Sequence, residues 1–380
     1  MTCTPVQARS WTPWEAEQTR TLGQSRLSWR GWLLLVHYGS GLGYADVQRC
    51  NMATIDVHTH VLPPYAELAI QVMDACAIER VVTLEWHDGF GDALREHLAS
   101  FGAYPGRFIV FGNVDFRRIN ERGFGETSAA QMEADVEAGM RGLKVYKALG
   151  LEYRDAKREL WRVNDERLDP IWAKAGELGI PVLLHTADPP DFWEPVNDFN
   201  FWGIELAGES TGWSYYRKGL PSPDELLGER NEVIRRHPNT VFICPHVGSK
   251  AECLDSAADD LDDMPNLHYD ISARISIMGR STRRAAHSRE FLIEHQDRAL
   301  FGTDFICDEA PGDADSRREY MAAAAVFYRS YLDFLTSSKV QPDPPFEQSV
   351  RGYSLTGLGL PQEVCNKILR ENARRLLGLS

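Results

Sequence analysis

Eight short apolar runs alternate with stretches of helical spacing along most of this 380-residue chain, and that alternation limits the fold more than any other feature. The runs are Thr54–Val57, Arg80–Leu84, Arg107–Val114, Gly142–Tyr146, Ile180–His185, Thr240–Pro245, Leu267–Ile271 and Ala299–Gly302, each rich in Val, Ile, Leu or Phe. Between them, helical spacing occupies Glu67–Ile78, Gly91–Phe101, Ser128–Ala138, Leu168–Leu178, Pro223–Arg236, Lys250–Leu261 and Arg283–His295, several closed by Gly or Pro. Strand and helix alternating eight times over about 250 residues predict an α/β chain folded as a parallel (β/α)8 TIM barrel rather than a doubly wound sheet. Residues 316–335 read as a long last helix and 361–377 as a terminal helix packed on the outside.

With 43% hydrophobic residues and ten Trp, the chain can bury one barrel-sized core. Residues 52–380 are therefore expected to form a single domain with C-terminal helices, preceded by an N-terminal arm, residues 1–51. In that arm Trp32–Val36 follows Arg26 and Arg30 in signal-peptide order, but the apolar stretch is short and His37 interrupts it, so export is not expected. Met52 stands directly before the first strand, and the arm reads as a poorly ordered extension or an over-extended translation start.

A formal charge of −14 without a concentrated Lys/Arg run argues against nucleic acid and against an anionic membrane surface as partners. No stretch approaches the roughly 20 apolar residues of a membrane helix. The expected partner is a small-molecule substrate. Seven cysteines, an odd number with no Cys-x-x-Cys spacing, fit reduced thiols in a cytoplasm.

The chemistry concentrates at the ends of the apolar runs. His58 and His60 alternate across Thr59, so in a strand both point to one face and their imidazoles can share a metal ion. His185, His246 and Asp304 each stand at the C-terminal end of a further run, and in a barrel those ends meet at one mouth. Each also has a plainer reading: buried histidines with backbone hydrogen bonds, and an aspartate capping a turn. Asp56 is expected to orient the histidine pair or close the barrel floor.

The order His-x-His on the first strand, His on the fifth, His on the sixth and Asp on the eighth resembles the amidohydrolase superfamily. The phrases Ile55–His60, Cys244-Pro245-His246-Val247-Gly248, Phe301-Gly302-Thr303-Asp304 and the tail Asn372–Leu379 are similar to its amidohydrolase-related branch, over roughly residues 53 to 380. That branch includes aminocarboxymuconate-semialdehyde decarboxylase, aromatic-acid decarboxylases, and hydrolases of lactones or related small acids. The resemblance implies one catalytic divalent ion, expected to be Zn2+, on His58, His60, His185 and Asp304, with His246 beside its water as an orienting base. Zn2+ can lower the pKa of a bound water to about 7, and Asp304 would carry the proton. Lys144 stands where other amidohydrolases carry a carboxylated lysine bridging two metals; that modification would make the site binuclear, and the single-ion site is the preferred expectation.

Substrate choice is expected from the loops. The segment from Asp191 to Pro221 is dense in aromatics, Trp193 and Trp202 among them, and suits a lid or pocket wall, or packing against a second subunit in a homo-oligomer. Arg274 offers a bidentate fork for a substrate carboxylate, with His87, Trp86 and Asp188 on the same rim. Cys307 lacks an evident base and reads as a bystander. Hydrolysis of a small carboxylate-bearing ester, lactone or amide is the first expectation, and non-oxidative decarboxylation of a small unsaturated or aromatic acid the alternative.

Overall fold

The computed structural model describes residues 53–85, 88–207, 211–309, 311–342 and 354–379. Trp86, His87 and the N-terminal arm lie outside the described residues.

The main sheet consists of β1 (Thr54–Val61), β2 (Ile78–Leu84), β3 (Phe108–Gly112), β4 (Gly142–Val145), β5 (Val182–Leu184), β6 (Phe242–Cys244), β7 (Leu267–Asp270), β8 (Ala299–Leu300) and β9 (Phe305–Cys307). Strands β1 to β8 lie side by side in chain order, and β9 pairs with the free flank of β1. Every pairing is parallel. Parallel neighbours need crossover connections, which the intervening helices supply: Ala66–Cys76, Gly91–Phe101, Phe124–Ala138, Asp169–Leu178, Pro223–Arg236, Leu254–Asp263 and Thr282–Glu294. The result is a curled, barrel-like α/β sheet wrapped in helices, with all eight residues of β1 buried, as a parallel strand covered on both faces requires.

Two strand ends depart from expectation, and both shape the site. The first strand continues from Val57 to Val61, so His58 and His60 lie inside it rather than beyond it. The eighth strand is split. Ala299–Leu300 pairs with β7 and Phe305–Cys307 pairs with β1. Between the halves, Val57 N–H donates to Phe301 O at 2.9 Å and Asp304 N–H donates to His58 O at 2.8 Å. Asp56 accounts for the split. Its buried carboxylate accepts from Thr303 N–H at 3.1 Å, Thr303 Oγ1 at 2.6 Å and Tyr328 Oη at 3.1 Å, drawing the chain off the ladder towards β1. Asp56 therefore ties the first strand to the last, and burial pushes its carboxyl up to about 7, opposed by the hydrogen bond from Thr303.

The helix expected from Lys250 starts at Leu254, because a left-handed turn at His246–Ser249 delays it. The helix expected from Ser128 starts earlier, at Phe124. The last long helix spans Ala314–Thr336, and the terminal helical run from Gln362 to Leu376 contains one π turn at Lys367–Glu371. Among the described residues no helix is long and apolar enough to cross a membrane. The cysteines at 76, 244, 253, 307 and 365 are free thiols.

Candidate metal centre

His58 and His60 project from β1 towards Asp304, in the turn between β8 and β9. Asp304 Oδ1 lies 3.3 Å from His58 Nε2 and 3.2 Å from His60 Nε2. What each ring does with its other nitrogen is decisive. His60 Nδ1 lies 3.0 Å from the carbonyl oxygen of Leu84, so that nitrogen must carry the hydrogen, and Nε2 is left as a lone pair facing a carboxylate oxygen. His58 repeats the arrangement, with Nδ1 lying 2.9 Å from Asp270 Oδ2. Two imidazole lone pairs and one carboxylate oxygen converging on a buried point repel one another unless a proton or a cation stands among them. His58, His60 and Asp304 therefore fit a divalent ion by the chemistry of their donors, and His58, His246 and Asp270 form a second, overlapping group with ligand atoms within 4.8 Å of one another.

The electrostatics agree. Burial pushes His60 down to about 4, towards the neutral form that can ligate. At His58 the lowering by burial is overcome by the negative charges of Asp270 and Asp304, which raise it to about 9, so that without a cation a proton stands among the three donors in its place. Burial raises Asp304, yet His58 and His60 hold it well below the ordinary carboxylate range, so it is ionised. Asp304 has φ 68°, a left-handed conformation that an aspartate tolerates better than most residues and that turns its carboxylate onto the histidine pair. Gly302 makes room: a Cβ there would come within 3.0 Å of His58 Cβ and 3.1 Å of Asp270 Cγ.

His246 belongs to the same cluster, its ring centroid 5.0 Å from that of His58 and 4.7 Å from that of His185. Its Nδ1 lies 2.9 Å from the carbonyl oxygen of Ser272, which leaves Nε2 as the free lone pair, and burial keeps the ring neutral. His246 and Val247 both adopt left-handed φ near 60°, strain of the kind stored at functional sites. His185 joins neither three-membered ligand group. Its buried Nε2 finds no hydrogen-bond partner and lies 3.8 Å from Asp188 Oδ1. Lys144 on β4 is buried, and its positive charge adds to burial, the larger cause, in lowering His60 and His185. Burial lowers the Lys144 amine to about 8, opposed by the carboxylates of Asp304 and Asp270.

Asp188 and the aromatic segment form one wall. Asp188 Oδ2 accepts from Lys147 Nζ at 2.5 Å and from Tyr215 Oη at 2.7 Å, and Lys147 sits 3.9 Å above the Trp213 ring. Trp193 donates from Nε1 to Pro221 O at 2.9 Å and packs 4.6 Å from Tyr215. Trp202 is buried, with the Arg274 guanidinium 5.2 Å from its ring centroid. Cys307 is buried, and burial pushes its thiol up to about 12, as a bystander requires.

A family model described as amidohydrolase matches residues 55–379. The chain belongs to the amidohydrolase family, in its amidohydrolase-related branch. Comparison of this amidohydrolase with curated proteins gave no match. Among solved structures it is similar to 2,6-dihydroxybenzoate decarboxylase from Rhizobium, at 15% identity and TM-score 0.52 over 86% of this chain and 99% of that one. It is also similar to an amidohydrolase-like protein from Staphylococcus aureus, at 15% identity and TM-score 0.51 over 86% and 100%. A third is dihydroxybenzoic acid decarboxylase from Polaromonas, with bound manganese and the inhibitor 2-nitroresorcinol, at 14% identity and TM-score 0.50 over 86% and 97%. At these identities the likeness establishes a shared fold.

Sequence reasoning missed two residues at the centre of this amidohydrolase. Asp270 Oδ1 accepts the backbone N–H of His246 and of Ser272, both at 3.0 Å, while Oδ2 faces His58. Ser272 Oγ lies 3.1 Å from His58 Nδ1 and 2.9 Å from His246 Nδ1. The signal for Asp270 was present, since it stands one residue before the end of the seventh apolar run, much as Asp304 follows the eighth. Ser272 gave none.

Proposed function

We propose that this amidohydrolase is a non-oxidative, divalent-metal-dependent decarboxylase of a small unsaturated or aromatic acid, built on a (β/α)8 barrel that the split eighth strand closes. The convergence of His58 Nε2, His60 Nε2 and Asp304 Oδ1 carries the metal part of this reading. Likeness to decarboxylases of dihydroxybenzoates supports the reaction class and moves hydrolysis, the first expectation from sequence, to second place.

His58, His60 and Asp304 would hold one ion, with His185 supplying its unpartnered Nε2. Imidazole and carboxylate suit Zn2+ and other first-row ions alike, and the manganese of the Polaromonas enzyme puts Mn2+ beside Zn2+ as the ion to test. When bound, the ion supplies positive charge that draws in the acid's oxygens and offsets the negative charge developing as the C–C bond breaks. The electron pair of that bond stays on the substrate carbon as CO2 leaves, and the carbon then takes a proton. Asp304 and His246 are the groups placed to relay it, with the His246 ring held in one orientation by Ser272. Lys144 remains an ammonium that balances Asp304 and Asp270, consistent with one ion rather than two. Asp188 and Trp193 shape the rim.

Metal-loaded protein incubated with dihydroxybenzoates, lactones and amides in 18O-labelled water tests the assignment. Release of CO2 with no label entering the organic product is expected. Label in a product carboxylate without CO2 release would restore the hydrolase reading.

A further inference from the structure

Four consecutive residues after β6, His246, Val247, Gly248 and Ser249, adopt left-handed φ between 56° and 61°. Only the glycine does so without strain, and the β-branched valine is the least suited of the four. A turn of this kind persists only where its surroundings over-determine it. Two sets of contacts do so here. At the centre, His246 N–H donates to Asp270 Oδ1 and His246 Nδ1 meets Ser272 O. The second set comes from Arg230, on the crossover helix Pro223–Arg236 and wholly shielded from solvent. Its Nη1 donates to Gly248 O at 2.6 Å and its Nη2 to Asp260 Oδ2 at 3.0 Å, while Nε and Nη2 both donate to Asn231 Oδ1. The same Asp260 carboxylate accepts from Asn231 Nδ2 at 2.8 Å and from Tyr269 Oη at 3.1 Å. The Tyr269 ring packs against the turn so closely that a Cβ on Gly248 would meet it at 2.4 Å. Ser249 Oγ donates to Thr186 O at 2.9 Å, which ties the turn to the residue after His185.

This arginine is more than a strut between helices. A buried ion network adds little stability over apolar packing of the same volume, so leucines could join the helices equally well. Nor is Arg230 needed to neutralise Asp260, because Lys250 Nζ already lies 2.5 Å from that carboxylate. What an apolar side chain cannot supply is a charged donor aimed at one carbonyl. That carbonyl belongs to the turn that carries His246.

We propose that Arg230 is a positioning residue for His246: its fork, anchored on Asp260 and Asn231, locks the left-handed turn and so fixes where the His246 ring stands beside His58 and His185. Shielded from solvent, Arg230 acts through the turn. Its effect on turnover rests on the decarboxylase reading, in which His246 relays the proton. Its effect on the ring rests on the turn alone.

Nitrogen NMR of 15N-histidine-labelled, zinc-loaded protein tests the ring directly, with the His246 signals assigned by their loss in His246→Gln. Wild-type His246 should show a single tautomer with its proton on Nδ1. Arg230→Lys keeps a cation beside Asp260 but offers one nitrogen where the fork offers two. Gly248→Ala drives a methyl group into the Tyr269 ring and displaces the turn without altering Arg230. In both variants the His246 signals should move towards the average of the two tautomers, while the His60 signals and the zinc content stay as in wild type. In Arg230→Lys kcat should fall about 10- to 100-fold with KM within about 2-fold, and the solvent deuterium isotope effect on kcat should rise as proton delivery becomes the slow step. Unchanged His246 signals in Arg230→Lys would overturn the proposal. So would a change that also reaches His60 or releases the zinc, since Arg230 would then support the fold at large. Altered His246 signals in the variant, with no CO2 released from any acid by the wild type, sink the decarboxylase reading and leave the positioning role standing. Wild-type CO2 release with unaltered His246 signals in Arg230→Lys does the reverse.

Discussion

Asp270 Oδ2 lies 2.9 Å from His58 Nδ1 across 212 positions of sequence, and the same carboxylate receives the backbone N–H of His246 through its other oxygen. One buried aspartate thus orients two of the histidines at the centre. Burial alone would raise Asp270, but the charge on His58 holds it below the ordinary carboxylate range, so it stands ready as a full negative charge behind the ring. Carboxylates in this position fix the tautomer of a metal-binding imidazole and raise its basicity.

Asp270→Asn keeps the shape and removes the charge. Affinity for Zn2+ is expected to fall about 10- to 100-fold, read by competition with a chromophoric chelator, while far-UV circular dichroism stays unchanged. Wild-type affinity in the variant would show that His58 does not depend on Asp270.

Replacing His58 and His60 together by Ala removes two of the three converging lone-pair donors. Protein purified without chelator should carry about one divalent ion per chain in the wild type and essentially none in the double variant, with turnover lost in parallel. Two ions per chain in the wild type would instead point to a carboxylated Lys144.

The candidate centre was more legible in the sequence than its walls, for a physical reason. Candidate ligands on a strand or just after one inherit their position from the strand pattern, so His58, His60, His246 and Asp304 could be brought together by counting apolar runs. Positions set by turns could not. The split at Phe301–Asp304 arises from the pull of Asp56 on Thr303, a contact between residues 247 positions apart, and no local pattern announces it. Val247 at φ 56° contradicts the preference of a β-branched residue, so the turn that delays the following helix ran against local propensity. The burial of Arg274 was equally hidden, because it depends on Trp202 arriving from the long aromatic segment.

Charge pairing also makes stability depend on pH away from the centre. His97 Nδ1 lies 2.9 Å from Glu85 Oε1, a charge contact without good hydrogen-bond alignment, and the Glu85 carboxylate raises the His97 pKa against the lowering by burial. A histidine whose folded pKa is raised stabilises fully below its unfolded value of about 6.5, and the contribution disappears as pH climbs through the folded pKa. His97→Gln should therefore lower the melting temperature relative to wild type at about pH 6 and much less at about pH 9. A deficit that is the same at both pH values would show that packing, not charge, accounts for the loss.

Lys147 and Asp188 form the most deeply buried ion pair of the wall, each side chain 4% exposed, with Tyr215 Oη completing the coordination of the carboxylate. Burial raises Asp188, but the charge of Lys147 and the neighbouring His185 together more than offset this and keep it ionised. Two opposite charges removed from water in this way add little net stability, yet deleting one strands the other. Lys147→Met should therefore destabilise the protein by about 3–5 kcal/mol in urea unfolding, because the buried Asp188 carboxylate is left with the Tyr215 hydroxyl and the more distant His185 ring in place of a cation. Lys147→Met combined with Asp188→Leu and Tyr215→Phe removes every polar member at once and should recover most of that loss. Recovery of stability without recovery of turnover would separate the two roles of this wall, since Asp188 is also the carboxylate that approaches His185. If the triple variant is as unstable as Lys147→Met, the single substitution acts by disrupting the packing of the aromatic segment, and the buried charge is not its cause.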